Sequence, residues 1–284
     1  MSDDVFLTPS DLQSFSDCRR MHFYARASLN PMRWERKEET ASVYHRHLCT
    51  IFNLYVSGDK DLHGLPTEMS SMRELFLKYI AGDVEELLNL GASGYAEVDI
   101  EHSLSTDLIE KDLFDQRQIR LRARADAAFT LKGQLFTIFD YKFFNNKKSL
   151  DNFKYNIKNN KQFLLYNIIF SASYAPARTI VYYLISKDSE DGYSLTKNQI
   201  NVNEASISEC LDLLKPLLVK YLINWQFHRD ITPSPRVSEI CGRCDYFSIC
   251  EYPEKKLNET QEEGDIYEKY IISEKEGFDY SVGF

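Results

Sequence analysis

The chain has no apolar run long enough to span a bilayer. The most apolar stretches, such as FLLYNIIF at 163–170, are far shorter than the roughly 20 residues a membrane helix needs. Cysteine is scarce: six in 284 residues are too few for a disulfide scaffold. No signal-peptide pattern opens the sequence, no internal repeat runs through it, and no Walker A loop is present, which excludes a helicase motor of that kind. These absences lead us to expect a cytoplasmic protein without membrane contact. In such a reducing compartment a close C-x2-C more often means metal than disulfide.

A hydrophobic content of 43% is ample for a packed core, in one large domain or two small ones. The net charge of −9 looks wrong for a nucleic-acid binder, but it is unevenly spread. Residues 251–284 hold ten acids against four lysines. By contrast, 142–161 carries six lysines against Asp151 alone, and 19–37 carries five arginines and Lys37 against Glu35. Either run alone reads equally as a solvated face; that both flank the candidate site residues in sequence favours phosphate contacts.

TPSDLQSF is a helix start, with Thr8 as N-cap, Pro9 in the first turn and Asp11 three residues on. A second helix is expected through SVYHRHLCTIFNLYV, then a mostly helical insertion at about 57–95, then a strand at AEVDIEHSL. From Ile119 to Leu131 every odd position is apolar, while Arg120, Arg122, Arg124 and Asp126 occupy even ones. Period 2 over that length predicts a strand with one buried face. Lys132-Gly133 is its turn and QLFTIFDYK the returning strand of a hairpin. A helix around 158–173, a strand at 179–186 and a long apolar helix from Ile207 to Trp225, with a kink or restart at Pro216, complete the reading. The acidic 251–284 segment is a tail or a partner-binding piece, leaving 1–250 as the main domain.

On a strand, Asp140 and Lys142 project from one face and Tyr141 from the other. Asp126 lies on the polar face of the preceding strand, so the hairpin can bring two carboxylates together. Such a pair offers hard oxygens to Mg2+ or Mn2+. The metal would activate water and neutralise charge on a scissile phosphate, with the lysine steadying that charge. The bland alternative is an exposed hairpin with a cross-strand ion pair. Cys241, Cys244 and Cys250 form a C-x2-C-x5-C run, and Cys18 lies near the other end of the chain. Four thiolates suit tetrahedral zinc or a 4Fe–4S cluster equally, and spacing alone favours zinc. Cys49 and Cys210 fall on apolar helix faces and read as core; His22 and His102 read as ordinary polar or core residues.

In order, LTPSDLQSFSDCRRMHFY, ASVYHRHL, RARADAAF, IFDYK, QFLLY and CGRCDYFSIC resemble the PD-(D/E)XK nuclease superfamily, in its RecB-like branch with an iron–sulfur cluster. CRISPR-associated RecB-like exonucleases and the AddB nuclease domain belong to that branch. The resemblance implies an α/β fold of restriction-endonuclease type, a central mixed sheet flanked by helices, with an iron–sulfur clasp joining the two chain ends. It assigns metal binding to His45, Asp126, Asp140 and the Tyr141 carbonyl, and the catalytic lysine place to Lys142. Gln162 and Tyr166 match a Q-x3-Y motif that supports the site and contacts DNA. Cys18, Cys241, Cys244 and Cys250 match the ligands of a structural 4Fe–4S cluster.

The activity implied is metal-dependent hydrolysis of DNA, chiefly at single-stranded ends, in CRISPR adaptation, repair or recombination, or mobile-element replication. Two rivals remain open at this point: a catalytically silent DNA-binding scaffold, and a zinc-stapled regulatory protein.

Overall fold

In the computed structural model, residues 5–18, 21–22, 40–104, 119–175, 177–187 and 192–223 are described. Cys241, Cys244, Cys250 and the acidic tail lie outside the described residues, as does the expected end of the last helix at Trp225. By internal contacts the chain divides into two units, Met1–Leu12 with Lys37–Ile223, and Gln13–Arg36 with Asn224–Phe284.

In the first unit the elements run β1 (Val5–Leu7), α1 (Pro9–Asp17, which begins here), α2 (Thr40–Val56), α3 (Ser70–Tyr79), α4 (Ala81–Asn89), β2 (Ser93–Leu104), β3 (Ile119–Leu131) and β4 (Gln134–Phe144). Then follow α5 (Lys147–Asn156), α6 (Lys161–Ile169), β5 (Thr179–Lys187), β6 (Tyr193–Asn201) and α7 (Glu204–Ile223). The start of α1 is a reciprocal cap. The Asp11 amide donates to Thr8 Oγ1 at 3.1 Å and the Thr8 amide donates to Asp11 Oδ2 at 2.9 Å.

Six strands form one mixed sheet in the order β1-β3-β4-β5-β6, with β2 also paired to β3. The β3–β4 turn at Lys132 and Gly133 has φ of +50° and +76°, the double left-handed geometry that matches hairpin twist. Strands β4 and β5 are parallel, and α5 and α6 make the crossover between them.

One sheet face carries the odd positions Phe129, Phe139 and Tyr141 with Val181, Tyr183 and Ile185. It packs against Leu48 and Phe52 of α2, Met72 and Phe76 of α3, and Val84 of α4. Gly94 on β2 is needed for this packing, since a Cβ there would meet the Phe129 ring at 2.8 Å. Within 57–95 only Ser70–Tyr79 and Ala81–Asn89 are α-helix; both build the core, and β2 starts at Ser93. The opposite face carries Ile138, Asp140, Ile180, Tyr182 and Leu184, covered in part by α5, whose Phe153 ring sits 5.7 Å from that of Tyr182.

Two expectations are revised, and one strand stands where none was expected. The helix near 158–173 is Lys161–Ile169 between two short 3-10 turns, because Asn160 adopts an extended backbone and starts it afresh. Pro216 lies inside a single helix, Glu204–Ile223. Strand β6 pairs along all of β5 from Thr179–Asn201 to Lys187–Tyr193, although its polar sequence carries no strand signal.

In the second unit, Ser14 Oγ and His22 Nδ1 lie 2.7 Å apart and the Phe15 and His22 rings meet edge-on. Cys18 beside them is a free, half-buried thiol. Among the described residues no helix is long and apolar enough to cross a membrane.

Candidate active site

The site grows from a fork in the sheet. Strand β4 pairs with β3 only from Leu131–Gln134 to Ala127–Phe139. Beyond that point β4 keeps β5 as its partner, and β1 pairs with β3 further on, at Ile119–Leu121. One more step of the β3–β4 register would set Asp126 opposite Asp140, on the same face. The ladder stops there instead, and backbone groups at the fork lose their strand partners.

Side chains take over. The Tyr141 amide donates to Asp126 Oδ2 at 2.6 Å, and the Tyr166 hydroxyl reaches the Arg124 carbonyl at 2.9 Å. A buried amide or carbonyl left unpaired would cost about 1–3 kcal/mol, so the two contacts hold the fork open without that penalty. His45 on α2 brings Nδ1 within 3.3 Å of Asp126 Oδ1. One helical turn on, the Cys49 thiol points at the Asp126 carbonyl at 3.6 Å. Burial, with Asp126 adding to it, pushes that thiol up to about 12, so Cys49 is an inert core group.

On the other side of β3, Ala96–Ala127 and Val98–Ala125 pair regularly, which sets Glu97 opposite Asp126. Glu97 has φ +51° in mid-strand, a left-handed conformation costing about 1–2 kcal/mol for a residue with a Cβ. Its carboxylate pairs with Arg124 at 3.0 Å. Nothing in the sequence marks this strain. The Cys49 contact was legible in principle, four residues after His45 on one helix face.

Asp140 is 1% exposed and heads a closed ring of contacts. Lys142 Nζ stands 2.5 Å from Asp140 Oδ1 and donates to Gln162 Oε1 at 2.7 Å. Gln162 Nε2 donates to the Tyr166 hydroxyl at 2.9 Å, and that hydroxyl lies 2.9 Å from Asp140 Oδ2. With one proton, Tyr166 shares its donation between Asp140 and the Arg124 carbonyl. At this distance the Lys142 ammonium and the Asp140 carboxylate are a contact ion pair. Lys142 therefore both balances the charge of Oδ1 and occupies it.

Burial is the largest influence on Asp140 and raises its pKa; Lys142 opposes this and Asp126 adds to it. Burial likewise carries the Tyr166 hydroxyl well above the ordinary tyrosine range, so it is a donor and not a base. Asn160 orients the Gln162–Tyr166 helix: its Oδ1 accepts from the Gln162 and Phe163 amides at 2.9 and 3.3 Å.

The structure thus gathers His45, Asp126, Asp140, Lys142, Gln162 and Tyr166 around one fork. The Tyr141 ring points to the other face and lies 5.8 Å from that of Tyr183. The donor chemistry fits a hard divalent cation: the carboxylates of Asp126 and Asp140 and the imidazole of His45. As the side chains stand, no three His, Cys, Asp or Glu residues among the described ones close into a ligand group, and Lys142 occupies the Asp140 oxygen.

No curated protein matches this chain. Among the solved structures similar to it are the following three. The protein designated SSO0001 has 15% identity over 88% of this chain and 87% of its own, with a TM-score of 0.37. A protein described as an exonuclease from Eubacterium rectale has 16% identity over 86% and 87%, with a TM-score of 0.49. The alkaline exonuclease LHK-Exo from Laribacter hongkongensis has 12% identity over 78% and 92%, with a TM-score of 0.30. These likenesses are too distant to bear on activity. The sequence model of the PD-(D/E)XK nuclease superfamily, however, matches residues 7–251, nearly the whole chain, with the strand fork and its Asp140-x-Lys142 triplet inside the match. The chain belongs to the PD-(D/E)XK nuclease superfamily.

Proposed function

We propose that this protein is a Mg2+- or Mn2+-dependent deoxyribonuclease that hydrolyses DNA from single-stranded ends, with no covalent intermediate. The observation that carries the reading is the Asp140–Lys142–Gln162–Tyr166 ring beside Asp126 at the fork. His45, Asp126, Asp140 and the Tyr141 carbonyl would hold the cation. When bound, it supplies Lewis acidity toward a phosphate oxygen and a water of lowered pKa. Lys142 presents donors to the phosphate as water attacks phosphorus and the bridging oxygen departs. Gln162 and Tyr166 fix the ammonium and the Asp140 carboxylate, so that little reorganisation accompanies the reaction.

The test is degradation of end-labelled single-stranded DNA with Mn2+. Asp140→Ala and Lys142→Ala should each lower the rate by about 10²-fold or more while the circular dichroism spectrum is kept. An Asp140→Ala protein that cuts at the parental rate removes the site assignment. A parent that binds DNA without cutting it identifies a scaffold.

We also propose that Cys18, Cys241, Cys244 and Cys250 hold a structural 4Fe–4S cluster. The reading is supported by the C-x2-C-x5-C spacing and the free thiol of Cys18. Iron and inorganic sulfide, measured after anaerobic purification, should both be lost in Cys18→Ser, and the melting temperature should fall as far as in Cys244→Ser. Zinc in place of iron, or a Cys18→Ser protein with full metal content, rules the cluster out. Gene neighbourhood distinguishes CRISPR adaptation from repair and from mobile-element replication.

A further inference from the structure

Helix α5 joins the strand of Asp140 and Lys142 to the helix of Gln162 and Tyr166. It is fastened to the sheet face that bears the site by Leu150 and Phe153. The Phe153 ring lies 5.5 Å from that of Phe144 and 5.7 Å from that of Tyr182. Successive residues turn by about 100°, so Tyr155 points roughly 140–160° away from both anchors. It is 89% exposed, in agreement with that placement. An aromatic ring left in water contributes nothing to this fold.

Its surroundings are cationic and polar. Lys148 lies two turns before Tyr155, about 20° from it around the helix. Lys147 is also exposed, and Lys154 and Lys158 flank the ring in sequence. Acids are also present: Asp151, exposed, lies one turn before Tyr155 and about 40° from it around the helix, and Glu209 of α7 is 3.8 Å from Lys158, so lysine outnumbers acid on this surface without excluding it. A basic surface with one projecting aromatic suits unpaired nucleic acid. Lysines attract the phosphates, and a flat ring stacks on a base only where no complementary strand covers it.

We propose that Tyr155 is a base-stacking residue, and that the exposed face of α5 guides a single-stranded DNA end toward the Asp140–Lys142 fork. The proposal rests on the nuclease reading and adds the reason for a single-strand preference. Duplex DNA offers the same phosphates to the lysines but no free base face to Tyr155.

The experiment uses the full-length protein in EDTA, where binding proceeds without cleavage, and follows fluorescence anisotropy of three probes: oligo-dT, an abasic strand of equal length, and a blunt duplex. Tyr155→Ala should weaken oligo-dT binding by roughly tenfold and leave the other two affinities unchanged, while Tyr155→Trp retains the parental preference. The site is exposed and helical, and alanine favours helix, so Tyr155→Ala folds. Equal affinity of Tyr155→Ala and parent for oligo-dT overturns the proposal, as does an equal loss on all three probes. A parent that cuts DNA with Mn2+ but is insensitive to Tyr155→Ala sinks this inference and spares the nuclease reading. A parent that neither binds nor cuts DNA removes both.

Discussion

Asp140 shows how one residue carries opposing demands. Burial raises its pKa against the pull of Lys142, so folding favours the protonated carboxyl. In the unfolded chain the group ionises in the ordinary carboxylate range. Between that range and the raised folded value the native state holds the extra proton, and stability declines as pH rises through the window. Above that window the whole cost is present. Asp140→Asn, which keeps the shape without the charge, should therefore melt higher than the parent at pH 7 in EDTA. The gap should close as pH falls below the ordinary aspartate range, and cleavage should be abolished throughout. Lys142 is 25% exposed in its side chain and can turn to water when its partner is neutral. A lower melting temperature for Asp140→Asn at pH 7 would show that the ion pair outweighs burial.

At the scale of elements, legibility followed locality. The bounds of β3 were readable because strict alternation over Ile119–Leu131 reports one buried face, and α1 was readable because its cap is a contact between neighbours in sequence. Strand β6 was not: YSLTKNQIN is a polar edge strand, and the contacts that hold it, Tyr193 on Tyr44, Ser194 on Ser186 and Lys197 on Asp83, all reach residues distant in sequence or on the neighbouring strand. Helix α5 was hidden in a lysine run because Leu150 and Phe153 supply its only strong anchors. The 158–173 helix was misplaced because a single side chain, Asn160, decides where α6 begins. Asn160→Ala should cost about 1 kcal/mol of stability, as loss of a helix cap does. Gln162 sits in the released turn, so cleavage should drop more than binding, which a comparison of kcat with KM would reveal. Parental kcat with the expected loss in melting temperature would leave Asn160 a purely structural cap.

Over the whole molecule the net charge of −9 conceals a division of labour. Lys147, Lys148, Lys154 and Lys158 lie near the fork in sequence, while 251–284 holds ten acids and four lysines. Phosphate binding at such a strip releases counterions, so affinity for DNA should fall steeply with salt in spite of the acidic total. Removing 255–284 should leave affinity equal or higher, because the segment repels phosphate. Titrations at low and high salt with both proteins check this, and an affinity indifferent to salt excludes the lysine strip as the binding surface.

The sequence by itself determined what depends on period and neighbourhood: the β3–β4 hairpin, the shared strand face of Asp140 and Lys142, and the buried reverse face of Tyr141. It also carried the family, because the motifs keep their order along residues 7–251, which the superfamily model matches. Only the tertiary structure decided the fork. Strand β3 is shared between β1 and β4, a competition among segments more than a hundred residues apart, and no local pattern encodes where one pairing yields to the other. From that single break follow the Tyr141 amide on Asp126, the Tyr166 hydroxyl on Arg124 and Asp140, and His45 on Asp126 across 81 positions. Spacing along a chain specifies which face a side chain shares, whereas distance across a fold is settled by which backbone groups are left to be satisfied.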